Sequence, residues 1–289
     1  MSGATPLHAA RATVVLAWGA VLCGAALAAS HPLALGAIAV IVAVAAWRGG
    51  VGSTVRRAAL FAVPVALLIA LINPFLVRDG LTVVYRLGEL PPFGQVDITL
   101  EALVAGLVLG VRTVLIVTSV ALVAAVVDGD ELLRAMRRVS FRGALTAALA
   151  MRIAPVLARD GKRMALARRS RAAAPPTPTA RERVAVVRAV TTGALDRAVD
   201  LAATLELRGY ATATRPARVV RPWSRHDLGF AASAAGMVAL LALAVAAGTP
   251  HLRPYPELTI QGGAVGVVLA VAFVAVALAP LAARRGVAR

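Results

Sequence analysis

Six apolar runs constrain this chain more than any other feature. They lie near residues 12–29, 32–47, 58–77, 102–127, 228–248 and 260–282. A helix needs ~20 mainly apolar residues to cross a bilayer. The chain is 60% hydrophobic with a mean hydropathy of +0.81, well above the apolar content of an ordinary soluble domain. The apolar mass is Ala, Val and Leu, and aromatic residues are only 4%. That composition suits helices; barrel strands would show ~10-residue alternation and aromatic girdles. The expected fold is therefore all-α, a polytopic helical membrane protein of about six transmembrane helices.

Ser30-His31-Pro32 reads as a tight hairpin between the first two runs. The second run is short enough to be tilted or partly re-entrant. Pro64 and Pro74 fall in or at the end of the third, where neighbouring helices tolerate them. The first run also has features of a signal peptide, with Arg11 before it and "ALAAS" at its end. It is longer than the ~7–15 residues of a signal h-region, and a second apolar run follows at once.

Net charge is +17, and Lys162 is the single lysine. The segment 128–226 carries 20 of the 31 basic residues against 8 acidic ones. Arg48, Arg56 and Arg57 follow the second run, and Arg284, Arg285 and Arg289 end the chain. Cytoplasmic loops gather Lys and Arg, so both termini and 128–226 are expected in the cytoplasm, with the protein multi-pass in the cell membrane. This divides the chain into a membrane domain over 1–127, an Arg-rich segment over 128–226, and two last spans with a basic tail over 227–289. On the opposite side, Asp79-Gly80 and the alternating "LTVVYRL" predict a small hairpin, punctuated by Pro91, Pro92 and Gly94.

The Arg-rich segment reads as helices. Asp128 and Asp130 are cap candidates before Glu131, and Leu132, Leu133 and Met136 recur at helical spacing. A second helix is expected over 143–172, with Pro155 as a kink site. Pro175 and Pro176 break the chain, and Thr179 is a cap candidate for a third helix ending near Arg208. Val184, Val187, Thr191, Ala194, Leu195, Ala198, Leu201, Ala202 and Leu205 form its predicted apolar stripe. Gly209 suits a position of positive φ after the helix. The apolar faces of these long helices need a partner, either each other or another protein.

Several chemistries lack a motif here. Gly161-Lys162 has neither the upstream glycine nor the following Ser or Thr of a phosphate-binding loop. Cys23 is the single cysteine, and His8, His31, His226 and His251 are scattered without ligand spacing, so neither a metal site nor another cofactor is expected. Arg112 is the main ionisable residue in the spans, where a proton-coupled carrier usually shows buried acids. It is expected to pair with Glu101 and hold helices together. Asn73-Pro74 reads as a helix-end turn. Asp196, Asp200 and Glu206 are expected to partner nearby arginines.

The stretches "LINPFLVRDGLTVVYRLG" (71–88), "DITLEALVAGLVLGVRT" (97–113), the segment 128–172 and "LAATLELRGYA" (201–211) together resemble the transmembrane T component of energy-coupling factor transporters, the EcfT/CbiQ family of cobalt transport permeases. That resemblance implies a subunit that does not itself hydrolyse ATP. It implies two P-loop ATPase partners, identical or different, and a small membrane subunit that captures a vitamin or metal ion. It also implies docking of the ATPases at two short Ala-Arg-Gly-like motifs. The second maps onto Leu207-Arg208-Gly209, beside Glu206. The first maps onto Ser170-Arg171-Ala172, where alanine replaces glycine and Arg169 stands ready to share the role. An arginine fork pairs bidentately with carboxylates.

Plainer readings stand beside these. Arg208 can complement a helix dipole, worth ~0.3–1 kcal/mol. Arg134, Arg137 and Arg138 can meet anionic lipid headgroups. A membrane-anchored basic scaffold and a stand-alone secondary carrier remain alternative functions. Nucleic acid is not expected as a partner, because the interleaved aromatics of a single-strand binder are missing.

Overall fold

The computed structural model describes residues 5–76, 82–90, 94–136, 141–170, 179–209, 222–247, 252–253, 259–260 and 264–282. In chain order they form α1 (Pro6–Ala9), α2 (Ala12–Ala28), α3 (Pro32–Arg48), α4 (Gly52–Leu76), β1 (Val83–Leu90), β2 (Gly94–Thr99), α5 (Leu100–Val126), α6 (Gly129–Met136), α7 (Phe141–Arg169), α8 (Ala180–Leu207), α9 (Arg225–Ala246), β3 (Leu252–Arg253), β4 (Thr259–Ile260) and α10 (Ala264–Ala282). The chain is a polytopic helical membrane protein. Helices α4, α5, α9 and α10 are long and apolar enough to cross a membrane, and α2 and α3 are shorter apolar helices of 17 residues each.

The chain divides into two compact units, residues 1–131 with 222–289, and residues 132–221. The first unit is the apolar bundle. Its α4 and α5 lie antiparallel along their length. Gly106 faces Ala70 and Asn73, and Gly110 faces Ala66, so closely that a Cβ at either glycine would stand 2.8 Å from a backbone carbonyl oxygen of α4. Small residues at i and i+4 let two backbones approach in this way within a membrane. Asn73 adds a bond from its side-chain amide to the Ala102 carbonyl, 2.7 Å. The expected helix-end turn at Asn73-Pro74 is thus part of the α4 helix, which continues to Leu76.

The α2–α3 hairpin accompanies α5 over its second half. Gly19 of α2 abuts Val123, and Arg112, near the midpoint of α5, donates to the Ala29 carbonyl at the hairpin turn, 2.7 Å. Seventeen helical residues rise about 25 Å, so each arm is at the short end of what spans a bilayer. His31 caps α3, accepting from Leu33 N, and Pro32 takes the first helical position, where its missing N–H costs nothing. Trp18 and Phe230 meet edge-to-face at 5.9 Å in the centre of the bundle, joining α2 to α9. Ser233 donates to the Val276 carbonyl across α9 and α10, 2.8 Å.

Three expectations change. The third apolar run is only part of its helix, which starts at Gly52. The sixth run is predicted from 260, whereas α10 begins at Ala264; Thr259 and Ile260 pair instead with Arg253 and Leu252 in a short antiparallel hairpin. Glu101 and Arg112 do not pair, since eleven residues along one helix separate them by roughly 16 Å. Glu101 is buried and accepts from the Thr82 backbone N–H at 3.1 Å, which ties β1 to the head of α5.

The predicted hairpin before α5 forms, with β1 antiparallel to β2 and Val83 opposite Thr99. Thr99 caps α5 through Ala102 N. Asp79, Gly80, Pro91 and Pro92 lie outside the described residues, as do Arg137, Arg138, Pro175, Pro176, His251, Arg284, Arg285 and Arg289.

Candidate functional site

The second unit holds α7 and α8, of 29 and 28 residues. Each runs without interruption, α7 through Pro155. Thr179 starts α8 as predicted: it accepts from Glu182 N, and the Glu182 carboxylate accepts in return from Thr179 N. This reciprocal pair satisfies two N–H groups that the helix leaves without internal acceptors.

The two helices meet in the second half of α7. Gly161 faces Val190, and Arg197 Nη2 bridges to Asp160 Oδ2 at 2.7 Å. Arg197 therefore finds its acid on the other helix, while no ion pair within the described residues involves Asp196, Asp200 or Glu206. Among the described side chains of α8 the half-covered ones include Val186, Val190, Gly193, Leu201 and Leu205. The predicted stripe meets this face only at Ala194, Leu201 and Leu205, whereas Val184, Val187, Thr191, Leu195, Ala198 and Ala202 are exposed. The physical reason is that α8 carries apolar residues on two sides. A single-helix periodicity sums them into one broad face, and only the partner helix decides which part is covered. No described residue of α8 is buried.

The helix ends carry the candidate residues. At the end of α8, Leu207 is 89% exposed and Arg208 is exposed beside it. Arg208 caps the helix with φ −81° and donates from its backbone to Thr204 O; Gly209 donates to Glu206 O at 2.8 Å and takes φ +74°. Only glycine adopts that φ at little cost, so the helix ends there with Arg208 at its last position. Glu206 is exposed on the last turn. At the end of α7, Arg169 is exposed on the final residue, and Ser170 follows in a turn, its hydroxyl donating to Ala167 O at 3.0 Å. Arg171 and Ala172 lie outside the described residues. From the Asp160–Arg197 bridge, Arg169 and Leu207 are each about 15 Å along their own helices at 1.5 Å per residue.

The bundle contains a second constellation that sequence reading missed. Asp227, fully buried, accepts from the backbone N–H of Arg11 at 2.7 Å and of Ser224 at 2.9 Å, and pairs with Arg11 Nε at 3.1 Å. Arg11 also donates to the Pro222 carbonyl at 2.9 Å and stacks over the Trp223 ring at 5.3 Å. The next residue, Ala12, donates its N–H to Glu131 at 3.2 Å. Glu131 and Pro222 are the residues at which the chain leaves and re-enters the bundle. Both crossing points are therefore fastened to one dipeptide, Arg11-Ala12. The only sequence signal was a charged pair, one at each of two span starts. Among the described residues no cluster of three or more metal-ligating side chains occurs.

No curated protein matches the chain. The family model of CbiQ, cobalt transport protein, matches residues 3–218, which take in the α2–α5 helices of the bundle and both long helices of the second unit. A match over about three quarters of the 289 residues, on a helical membrane bundle with this inserted helix pair, places the chain in the CbiQ family of cobalt transport proteins, as a membrane transport component.

Proposed function

We propose that the chain is the non-catalytic coupling subunit of an ATP-driven importer of the energy-coupling factor type. Two partner P-loop ATPases dock at the ends of α7 and α8, and their motion is passed to a separate membrane subunit that captures a vitamin or metal ion. The segment 128–226 and both termini face the cytoplasm in this reading, which rests on the arginine distribution. Arg208 at the α8 tip, with Leu207 and Gly209, makes one dock. Arg171, with Ser170, Ala172 and Arg169, makes the other.

The observation that carries the reading is the exposed end of α8. A hydrophobic side chain 89% exposed beside an exposed guanidinium suits an apolar socket rimmed by carboxylates. Two long helices that cross at an ion pair can transmit a push at one end to the other.

The test is purification of the full chain from its host membrane in mild detergent, with bound proteins identified by mass spectrometry. Recovery of P-loop ATPases with a small hydrophobic membrane protein is the expected result, and the small protein identifies the cargo class. Recovery of neither with a folded chain would favour the scaffold or the stand-alone carrier.

A further inference from the structure

The outer face of α7 carries charge of one sign. Arg152, Arg159, Lys162 and Arg163 are all exposed. At 3.6 residues per turn they share one arc of about 100° with Leu166, which is 64% exposed. Asp160 is the single acidic residue of α7. It lies about 110° from the middle of that arc and is engaged with Arg197 of α8 at 2.7 Å. Arg159 Nε donates to the Pro155 carbonyl at 3.1 Å, without engaging its Nη groups. Among the described residues no carboxylate pairs with any of the four cations. A helix face that simply meets water mixes its signs, as α8 does, where Glu182, Asp196, Asp200 and Glu206 stand among the arginines.

The face therefore calls for a polyanion, and two observations select which. Only residues 127–140 separate α7 from the end of α5, a helix long and apolar enough to cross a membrane. The face is thus tethered close to lipid headgroups, whose negative surface attracts basic segments within a Debye length. Its cations are also interleaved with exposed aliphatic side chains, Met151 and Leu166, and no aromatic residue follows Phe141 on α7. Arginine and lysine beside leucine suit a phosphate surface with acyl chains beneath it, whereas a single-stranded nucleic acid would need rings to stack on.

We propose that the α7 face of Arg152, Arg159, Lys162, Arg163 and Leu166 rests on anionic phospholipid. The four cations meet the phosphates, and Leu166 enters the boundary between headgroup and acyl chain. The inference stands apart from the coupling role, since it requires neither ATPase nor cargo subunit.

The experiment places a nitrobenzoxadiazole fluorophore on Leu166→Cys of the full chain, in a Cys23→Ala background. The protein is reconstituted into vesicles of phosphatidylcholine, with or without phosphatidylglycerol, and quenched by a spin label on the lipid acyl chain. Quenching should be roughly twofold greater with phosphatidylglycerol. Raising salt from about 0.1 M to about 1 M, which shortens the Debye length to ~3 Å, should remove the excess. The triple variant Arg159→Gln, Lys162→Gln, Arg163→Gln should quench as in phosphatidylcholine alone. Amide exchange on the unlabelled wild type decides the matter even where a variant fails to fold: residues 152–166 should exchange more slowly in the vesicles with phosphatidylglycerol. Equal quenching and exchange in both vesicles, an excess untouched by salt, or an excess kept in full by the folded triple variant would each overturn the proposal. Protection of 152–166 that appears only when co-purified ATPases are added would overturn it too, and would assign the face to a protein.

Discussion

Arg11 and Asp227 stand 216 positions apart and meet through two contacts, a backbone N–H to carboxylate bond of 2.7 Å and an ion pair of 3.1 Å. The pair belongs to a seam at which the N-terminal segment grips both crossings of the chain between bundle and long helices. Removing one partner of a buried pair leaves the other charged and uncompensated, at about 3–5 kcal/mol. Asp227→Ala and Arg11→Ala are therefore both expected to lower the thermal midpoint of the detergent-solubilised protein, Asp227→Ala by more. Asp227 loses the bond from Ser224 N as well, whereas Arg11→Ala retains its backbone donor. Equal shifts from the two substitutions would show that the backbone bonds at Asp227 contribute little.

The α4–α5 contact makes a sharper steric prediction. Any side chain at Gly106 or Gly110 must push against the α4 backbone, which cannot rotate out of the way. Overpacking of this kind costs about 1–3 kcal/mol. Gly110→Val should reduce the yield of folded protein and its thermal midpoint. Gly24→Val and Gly36→Val, where nothing lies within 4 Å of the new Cβ, should leave both nearly unchanged. Comparable losses at all three sites would mean that helix propensity, not close approach, governs them.

These two features mark where sequence reading succeeds and where it stops. The helices were legible because apolar run length is a local property, and so were Thr179 and Gly209, whose cap roles depend on neighbours three or four residues away. The hairpin of β1 and β2 was legible from alternation beside a turn. The Arg11–Asp227 pair was not, because nothing in either local stretch points to the other. The α8 stripe was placed only in part, at Ala194, Leu201 and Leu205, for a related reason: Val184 and Val186 are equally apolar, and packing against α7 alone distinguishes them. Of the candidate docking residues, Arg208 was singled out by its Leu-Arg-Gly setting, and what the structure adds is its exposed position on a helix end, a property of the cap that follows it.

Charge reversal tests the docking reading directly. Arg208→Glu keeps the Gly209 turn and the backbone bonds of the cap, so membrane insertion and thermal midpoint should match wild type. Uptake of the cargo should be lost, and ATPases should no longer co-purify. Arg208→Lys should restore uptake in part, because an ammonium keeps the charge but not the planar fork. Full uptake and ATPase retention in Arg208→Glu would remove Arg208 from the dock.

Asp160 and Arg197 supply the last prediction. Their side chains are 19% and 46% exposed, and a pair so open to solvent contributes only about 0.2–1 kcal/mol. Asp160→Ala and Arg197→Ala should therefore hardly change the thermal midpoint. The position of the bridge, about equally far from both candidate docks, points to a mechanical role: it fixes where one long helix bears on the other. If that is its use, either substitution should leave ATPase binding intact and ATP hydrolysis running, while cargo uptake per ATP falls. The double exchange Asp160→Arg with Arg197→Asp should recover part of the loss, because the attraction is restored with its ends swapped. A bridge that merely solvates two charges would give wild-type coupling in all three variants, and the measurement that separates the outcomes is uptake per ATP in reconstituted vesicles.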